Sequence, residues 1–330
     1  FSLKVVAGLS IAIAAALFLL KEFIAVQLFH EPRLAVVLFY VSLALPFYSM
    51  SLLLFSMFRG FKRPEFEVFS KNFIEGLSRF VLAFIVISLG LGLTGLSIAY
   101  TLPYVFSFLL ALFFLQFKTF PIFTSKIIST PPRRELLFYS TPLFLSGILT
   151  MVTAWSDVLI LGLFLPVAKV GIYNAALTLA LVFYIVPTAF ASLFTPNIVR
   201  LVSEGNKMNE VKFLYRKVSY WMAATAFPLL AAYLLFPGAI LRTLFGQQYA
   251  EGSLALSLLG LGFASSIFFG MSGEVLSTLK KTKVLFFGSL IAIILNVTLN
   301  FLLVPTFGLA GAAASTLASI LSVQLFFTYN

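Results

Sequence analysis

The chain is predicted to be an all-α membrane protein, with ten transmembrane helices visible in a two-lobed arrangement. Three observations predict it. Hydrophobic residues make up 61% of the 330 positions and charged residues only 10%, with a mean hydropathy of +1.08. The apolar residues gather in ten runs, at about 3–20, 34–58, 74–93, 96–117, 136–165, 172–195, 218–237, 252–271, 284–303 and 307–328. Most of these approach the ~20 residues that a helix needs to cross a hydrocarbon core of ~30 Å. Finally, the runs lack the period-two alternation of barrel strands. In lipid every backbone polar group must be satisfied internally, so helices are what remains.

Each run is bounded by recognisable punctuation. Residues 3–20 stop at Lys21 and Glu22, which are not a small-residue signal cleavage site. The chain begins at Phe1 rather than Met, and Phe1 is expected to be an internal point of a longer protein. The run 34–58 ends at Arg59, Lys62 and Arg63. Gly90, Gly92 and Gly95 match a GxGxxG string, but no strand precedes them. They are expected to form a tight helical hairpin between the third and fourth runs. Pro121, Pro131 and Pro132 mark 118–135 as a linker. Lys169 separates the fifth and sixth runs.

In the loop 203–217, Val211, Leu214, Tyr215 and Val218 form an apolar stripe at helical spacing. Lys207, Lys212, Arg216 and Lys217 occupy its other faces. That pattern predicts an amphipathic helix lying on the inner leaflet. Arg242 lies between the seventh and eighth runs, and Lys280, Lys281 and Lys283 precede the ninth. Pro46, Pro103, Pro142, Pro187 and Pro228 fall within or near helix interiors, where they are expected to kink or loosen helices.

Of the 22 lysines and arginines, sixteen lie in one alternating set of loops and four in the other. Positive charge marks the cytoplasmic side, so both ends of this chain are expected there. The same topology, with anionic headgroups, accounts for the net charge of +11 without a nucleic-acid partner.

The halves also repeat at an offset of 216 residues. Leu28-Phe29-His30 aligns with Leu244-Phe245-Gly246, and Gly92-Leu93-Thr94-Gly95 with Gly308-Leu309-Ala310-Gly311. This offset maps the first four helices onto the last four and leaves the middle pair without counterparts. It predicts two parallel lobes of six helices, with the first two helices of lobe one falling before Phe1. The expected division is an incomplete N-lobe at 1–117, the linker at 118–135 and a C-lobe at 136–330.

Enzymatic constellations are not expected. There is no cysteine, a single histidine (His30) and 11 acidic residues, so neither a metal cluster nor a nucleophile-base set can be assembled from sequence. No cofactor is called for. The candidates for chemistry are polar residues inside apolar runs. Asp157 is the only carboxylate placed well within one. Asn174 lies at similar depth on the next helix, and Asn296 and Asn300 share one face of the ninth. A hydrogen-bonded clamp between helices and an ion or substrate site are both open for this set. Arg79, taken as about one and a half turns into the third run, either snorkels to headgroups or meets a phosphate.

At this point the chain resembles a known family. The stretch from Asp157 through Phe164, then Val170-Gly171-Ile172-Tyr173-Asn174-Ala175-Ala176, resembles a helix-pair signature of polysaccharide-biosynthesis flippases of the multidrug/oligosaccharidyl-lipid/polysaccharide exporter superfamily. So do Leu244 through Tyr249, Lys280 through Lys283, Leu295 through Asn300 and Phe307 through Ala314. The resemblance implies a two-lobed bundle with a central polar cavity in the plasma membrane. Its substrate would be an oligosaccharide on a polyprenyl (pyro)phosphate, flipped from inner to outer leaflet. Membrane lipid would be a further partner. Coupling to sodium or protons stays open, with Asp157 its first candidate. A multidrug exporter of the same superfamily, expelling cations through acidic residues, is the alternative. A non-transporting membrane scaffold is a third.

Overall fold

In a computed structural model, residues 2–121, 148–149, 151–152, 154–203, 208–279 and 281–329 are described. Most of the expected linker lies outside them, with Pro131, Pro132, Lys126, Arg133 and Arg134. So do Pro142, Lys207 and Lys280. All regular structure among the described residues is helical, and seven helices there are long and apolar enough to cross a membrane.

The chain divides into two compact units, Phe1–Leu137 and Phe138–Asn330. The first contains α1 (Ser2–Glu22), α2 (Leu34–Gly60), α3 (64–88) and α4 (Gly92–Phe114). Helix α3 is continuous from Pro64, which suits a first helical turn because it has no N–H to leave unpaired. It carries a π-helical stretch at Val68–Glu75 before ordinary α geometry resumes at Gly76–Ser88. It therefore begins ten residues earlier than the apolar run at 74–93. The α3–α4 turn is the expected hairpin, with Gly90 and Gly92 at φ +65° and +60°. Helix α2 packs on α1 and α4, and α4 also packs on α3.

The packing is that of helices in lipid. The buried positions of α4 are Gly95, Ser97, Ala99, Thr101, Pro103, Ser107 and Ala111, which let backbones approach closely. Large apolar side chains such as Leu19, Phe80, Phe84 and Ile87 face outward. Of the buried hydroxyls, Thr101 donates to the Ser97 carbonyl of its own helix at 2.8 Å, and Ser107 donates to the Ser70 carbonyl of α3 at 3.2 Å.

The second unit contains α5 (Ala154–Phe164), α6 (Val167–Ala180), α7 (Ile185–Ser203), α8 (Met208–Leu235), α9 (Pro237–Phe245), α10 (Ser253–Phe268), α11 (Ser272–Thr278) and α12 (Thr282–Tyr329). Helix α10 is central, packing on α6, α8 and α12. Its own Leu256 and Leu259 and the neighbouring Tyr173, Phe183 and Met222 are fully buried. The 48-residue α12 folds back on itself at Gly308 (φ +57°). Asn296 Nδ2 lies 3.4 Å from Thr316 Oγ1, and a Cβ on Gly288 would strike the Phe327 ring. Its two halves therefore run side by side in opposite directions.

Two expectations are corrected here. The apolar stripe at 211–218 does not lie on a leaflet. It forms the first turns of α8, and Val211, Leu214, Tyr215 and Val218 pack against the second unit's own core. Lys212, Arg216 and Lys217 are left exposed on the opposite face. The eighth apolar run also stops short of 271. Helix α10 ends at Phe268, and Gly270 (φ +72°) breaks the chain before α11. The Tyr215 hydroxyl donates to the carbonyl of Phe269 freed by that break.

Candidate functional site

In the second unit a buried carboxylate is met by donors from two elements, α6 and both halves of α12. Asp157 on α5 is 6% exposed. Its Oδ1 accepts from Asn296 Nδ2 at 3.0 Å and from Asn300 Nδ2 at 2.7 Å. Its Oδ2 accepts from Tyr173 Oη at 2.8 Å and from Thr316 Oγ1. Four donors match the lone-pair capacity of a carboxylate, which accepts only. The four-residue spacing of Asn296 and Asn300 puts both amides on one face of α12. The fold-back at Gly308 then returns Thr316 to the same level from the other half of the hairpin.

A second ring of bonds steadies the first. Ser156 Oγ donates to Asn296 Oδ1 at 2.6 Å, and Asn300 Nδ2 approaches the same oxygen at 3.2 Å. Asn300 Oδ1 is buried without a hydrogen-bond partner. Asp157, Asn296, Asn300, Thr316, Tyr173 and Ser156 thus form one buried hydrogen-bonded cluster. Among the described residues, no three His, Cys, Asp or Glu side chains come together to hold a metal ion.

Sequence reasoning named Asp157, Asn296 and Asn300, and the structure brings all three together. Asn174, also named, is not a partner of Asp157. It is half-buried on α6, and its neighbour Tyr173 faces the carboxylate instead. Tyr173, Thr316 and Ser156 were missed. Nothing in the stretch 311–319 separates Thr316 from the neighbouring hydroxyls Ser315 and Ser319.

The first unit holds the other polar centre. Arg79 lies about two turns beyond Lys71 on α3. Glu75, one turn earlier, pairs with its Nη2 at 2.9 Å. The guanidinium carbon stands 4.8 Å from the Tyr100 ring centroid and 5.2 Å from that of Tyr104, both on α4. Such stacking uses the negative faces of the rings to support the cation. Arg79 Nε is buried with no hydrogen-bond partner. Sequence reasoning found Arg79 but not Glu75, which looked like the edge of an apolar run, nor the two tyrosines.

At one end of the second unit three turns converge on a cavity of about 250 Å³, lined by Leu165, Lys169, Glu251, Phe307 and Gly308 among others. Lys169 and Glu251 form an ion pair at this cavity.

Comparison with known proteins gives consistent relatives. A family profile described as polysaccharide biosynthesis protein matches residues 1–202. The probable flippase AglR of Haloferax volcanii is 30% identical over 180 residues, covering 54% of this chain and 37% of the relative. A probable low-salt glycan biosynthesis flippase of the same organism is 28% identical over 190 residues, covering 56% and 39%. These alignments span little more than a third of either relative's length. Among solved structures, the lipid II flippase MurJ in an inward closed conformation superposes with a TM-score of 0.76 at 16% identity, covering 100% of this chain and 71% of that one. An inward-facing multidrug resistance transporter of the MATE family superposes at 0.68 and 16%, covering 98% and 78%. At such identities the likeness is one of fold.

Proposed function

Since the chain belongs to the polysaccharide biosynthesis protein family, we propose that it serves a flippase of the multidrug/oligosaccharidyl-lipid/polysaccharide exporter superfamily that moves an oligosaccharide on a polyprenyl (pyro)phosphate from the inner to the outer leaflet of the plasma membrane. The observation that carries this reading is a polar centre inside each otherwise lipid-compatible unit. A sugar head cannot cross hydrocarbon unaided, whereas a polyprenyl tail can stay in it. Charged groups inside membrane helices are costly, ~2.5–3.5 kcal/mol each on insertion scales, and usually mark a pathway or a relay. In this reading Arg79 meets the phosphate, and Asp157 with Asn296, Asn300 and Thr316 takes the coupling sodium ion or proton. Asn174 stands beside that set on α6, without a direct part in it.

We read the chain as ten spans in two lobes, 1–117 and 136–330, joined by 118–135, with both ends cytoplasmic. The offset of 216 residues is supported by paired details. Gly92 and Gly308 share φ near +60° (+60° and +57°), and His30 and Gly246 are also both at positive φ. Gly95 and Gly311 both lack room for a Cβ. Tyr100 of one polar centre pairs with Thr316 of the other. The multidrug alternative needs an acid open to a cationic drug, but Asp157 is enclosed by donors and Glu75 holds Arg79.

Deleting the gene should leave lipid-linked glycans on the cytoplasmic face and reduce surface polysaccharide. Normal surface glycan with raised sensitivity to cationic drugs would transfer the assignment to the exporter. In proteoliposomes, Asp157→Asn should fold and insert yet lose dependence on the sodium or proton gradient. Retained gradient dependence would reduce Asp157 to a helix clamp.

A further inference from the structure

Tyrosines in membrane proteins gather at the two interfaces, where the ring is apolar and the hydroxyl stays wet. Three tyrosines of the first unit do not follow that habit. Tyr48 sits near the middle of Leu34–Gly60, and Tyr104 near the middle of the helix that runs from Gly92 to Thr119. Tyr100 lies one turn before Tyr104. Their rings form a ladder, with Tyr48 and Tyr104 centroids 4.9 Å apart and Tyr100 and Tyr104 centroids 6.0 Å apart. Tyr48 is 41% and Tyr100 53% exposed, so two rings present open surface at mid-depth.

The same ladder carries Arg79, whose side chain is 36% exposed. Ionisable side chains within apolar helices almost always face a bundle interior or a water-filled cavity, and Tyr100 and Tyr104 stacked beside the guanidinium share its side. The exposed phenols therefore look onto polar space. An open aromatic face next to a cation suits a ligand with a positively polarised C–H face and an anionic group one bond further on. A pyranose joined to phosphate has that form. Its hydroxyls can also exchange hydrogen bonds with the phenols.

We propose that Tyr48, Tyr100 and Tyr104 form a sugar-stacking subsite, which seats the first pyranose ring of the substrate while Arg79 holds the phosphate to which that ring is attached. The subsite rests on the lipid-linked glycan reading above and adds the group that separates a glycosylated carrier from a bare one. It recognises the ring rather than a particular sugar, because stacking needs only the C–H face.

The test uses the full-length protein in detergent and two probes, citronellyl phosphate and citronellyl phosphoglucose. The unmodified protein should bind the glucosyl probe about five-fold more tightly, the scale of one good aromatic contact. Tyr48→Leu and Tyr100→Leu should bring the ratio of the two affinities close to one, whereas Tyr48→Phe, which keeps the ring, should preserve it. Arg79→Gln should weaken both probes. Phosphate binding without preference for the glucosyl probe, or a preference that survives both leucine variants, would overturn the sugar subsite alone. Failure of both probes to bind the unmodified protein would overturn the subsite and the flippase reading together.

Discussion

Asp157 accepts from two amides and two hydroxyls, and those two kinds of donor respond differently to substitution. The Tyr173 and Thr316 hydroxyls can rotate and accept a bond from an amide placed at 157. The Asn296 and Asn300 amides must turn over to do so, and Ser156 holds Asn296 in place. Asp157→Asn is therefore expected to fold with a lowered thermal midpoint. Asp157→Leu strands several buried donors at about 1–3 kcal/mol each and should fail to accumulate as folded protein. Tyr173→Phe removes one hydrogen bond from a fully buried ring and should lower unfolding free energy by about 1 kcal/mol. A denaturation series in detergent checks it, and an unchanged midpoint would show that Tyr173 does not restrain the carboxylate. In the first unit, Glu75→Gln removes the ion pair but leaves the two rings. The Arg79 charge is then offered to an anion without competition, and phosphate probes should bind more tightly.

At the scale of elements, the positions that decide the architecture are turns rather than spans. Gly92 and Gly308 both have positive φ, and a Cβ at Gly92 would meet nothing while one at Gly308 would only touch Leu165. The cost of Gly92→Ala or Gly308→Ala is then backbone strain alone, about 1–3 kcal/mol. The loss in thermal stability is expected to be larger at Gly308, whose ψ of −128° lies far from the left-handed helical conformation. Gly270→Ala is a different case, because φ is +72° and Ser219 and Tyr215 fill the space a Cβ would take. It should cost more than either turn glycine. A variant as stable as the parent would mean that the α10–α11 break can close into a continuous helix. Within α8, exchanging Lys212 and Arg216 for glutamine should leave the core contacts of Val211 and Leu214 intact and weaken only the preference for cytoplasmic placement.

For the whole molecule, the sharpest expectation is topological. Reporter fusions at Lys126, Lys207 and Lys281 should read cytoplasmic, and fusions at Lys169 and Gly246 external. Lys169 pairs with Glu251, five residues beyond Gly246, so these last two fusions have to agree with each other whichever side they report. Disagreement between them would contradict the second unit itself. Agreement on the cytoplasmic side would invert the orientation read from lysine and arginine placement.

The amino-acid sequence by itself determined that this is a helical, multi-pass membrane protein of the polysaccharide biosynthesis family. Hydrocarbon requires long apolar runs with internally satisfied backbones, and that demand is written in composition and run length. It also singled out Asp157, Asn296 and Asn300, because a polar side chain amid so much apolar sequence stands out and a spacing of four places two of them together. Only the tertiary structure decided which partners they meet. Hydropathy names the lipid-facing side of a helix poorly, since lipid and protein interior are about equally apolar. Nothing in the spacing therefore distinguished Tyr173 from Asn174 as the residue turned toward Asp157. The return of Thr316 required the fold-back at Gly308. The pairing of Arg79 with Glu75 is an i, i+4 contact within one helix that spacing alone offered, whereas the stacking of Arg79 on Tyr100 and Tyr104 required α4 to pack against α3. The stripe at 211–218 misled for a related reason. An amphipathic pattern states that one face is apolar, and only packing decides whether lipid or protein covers it.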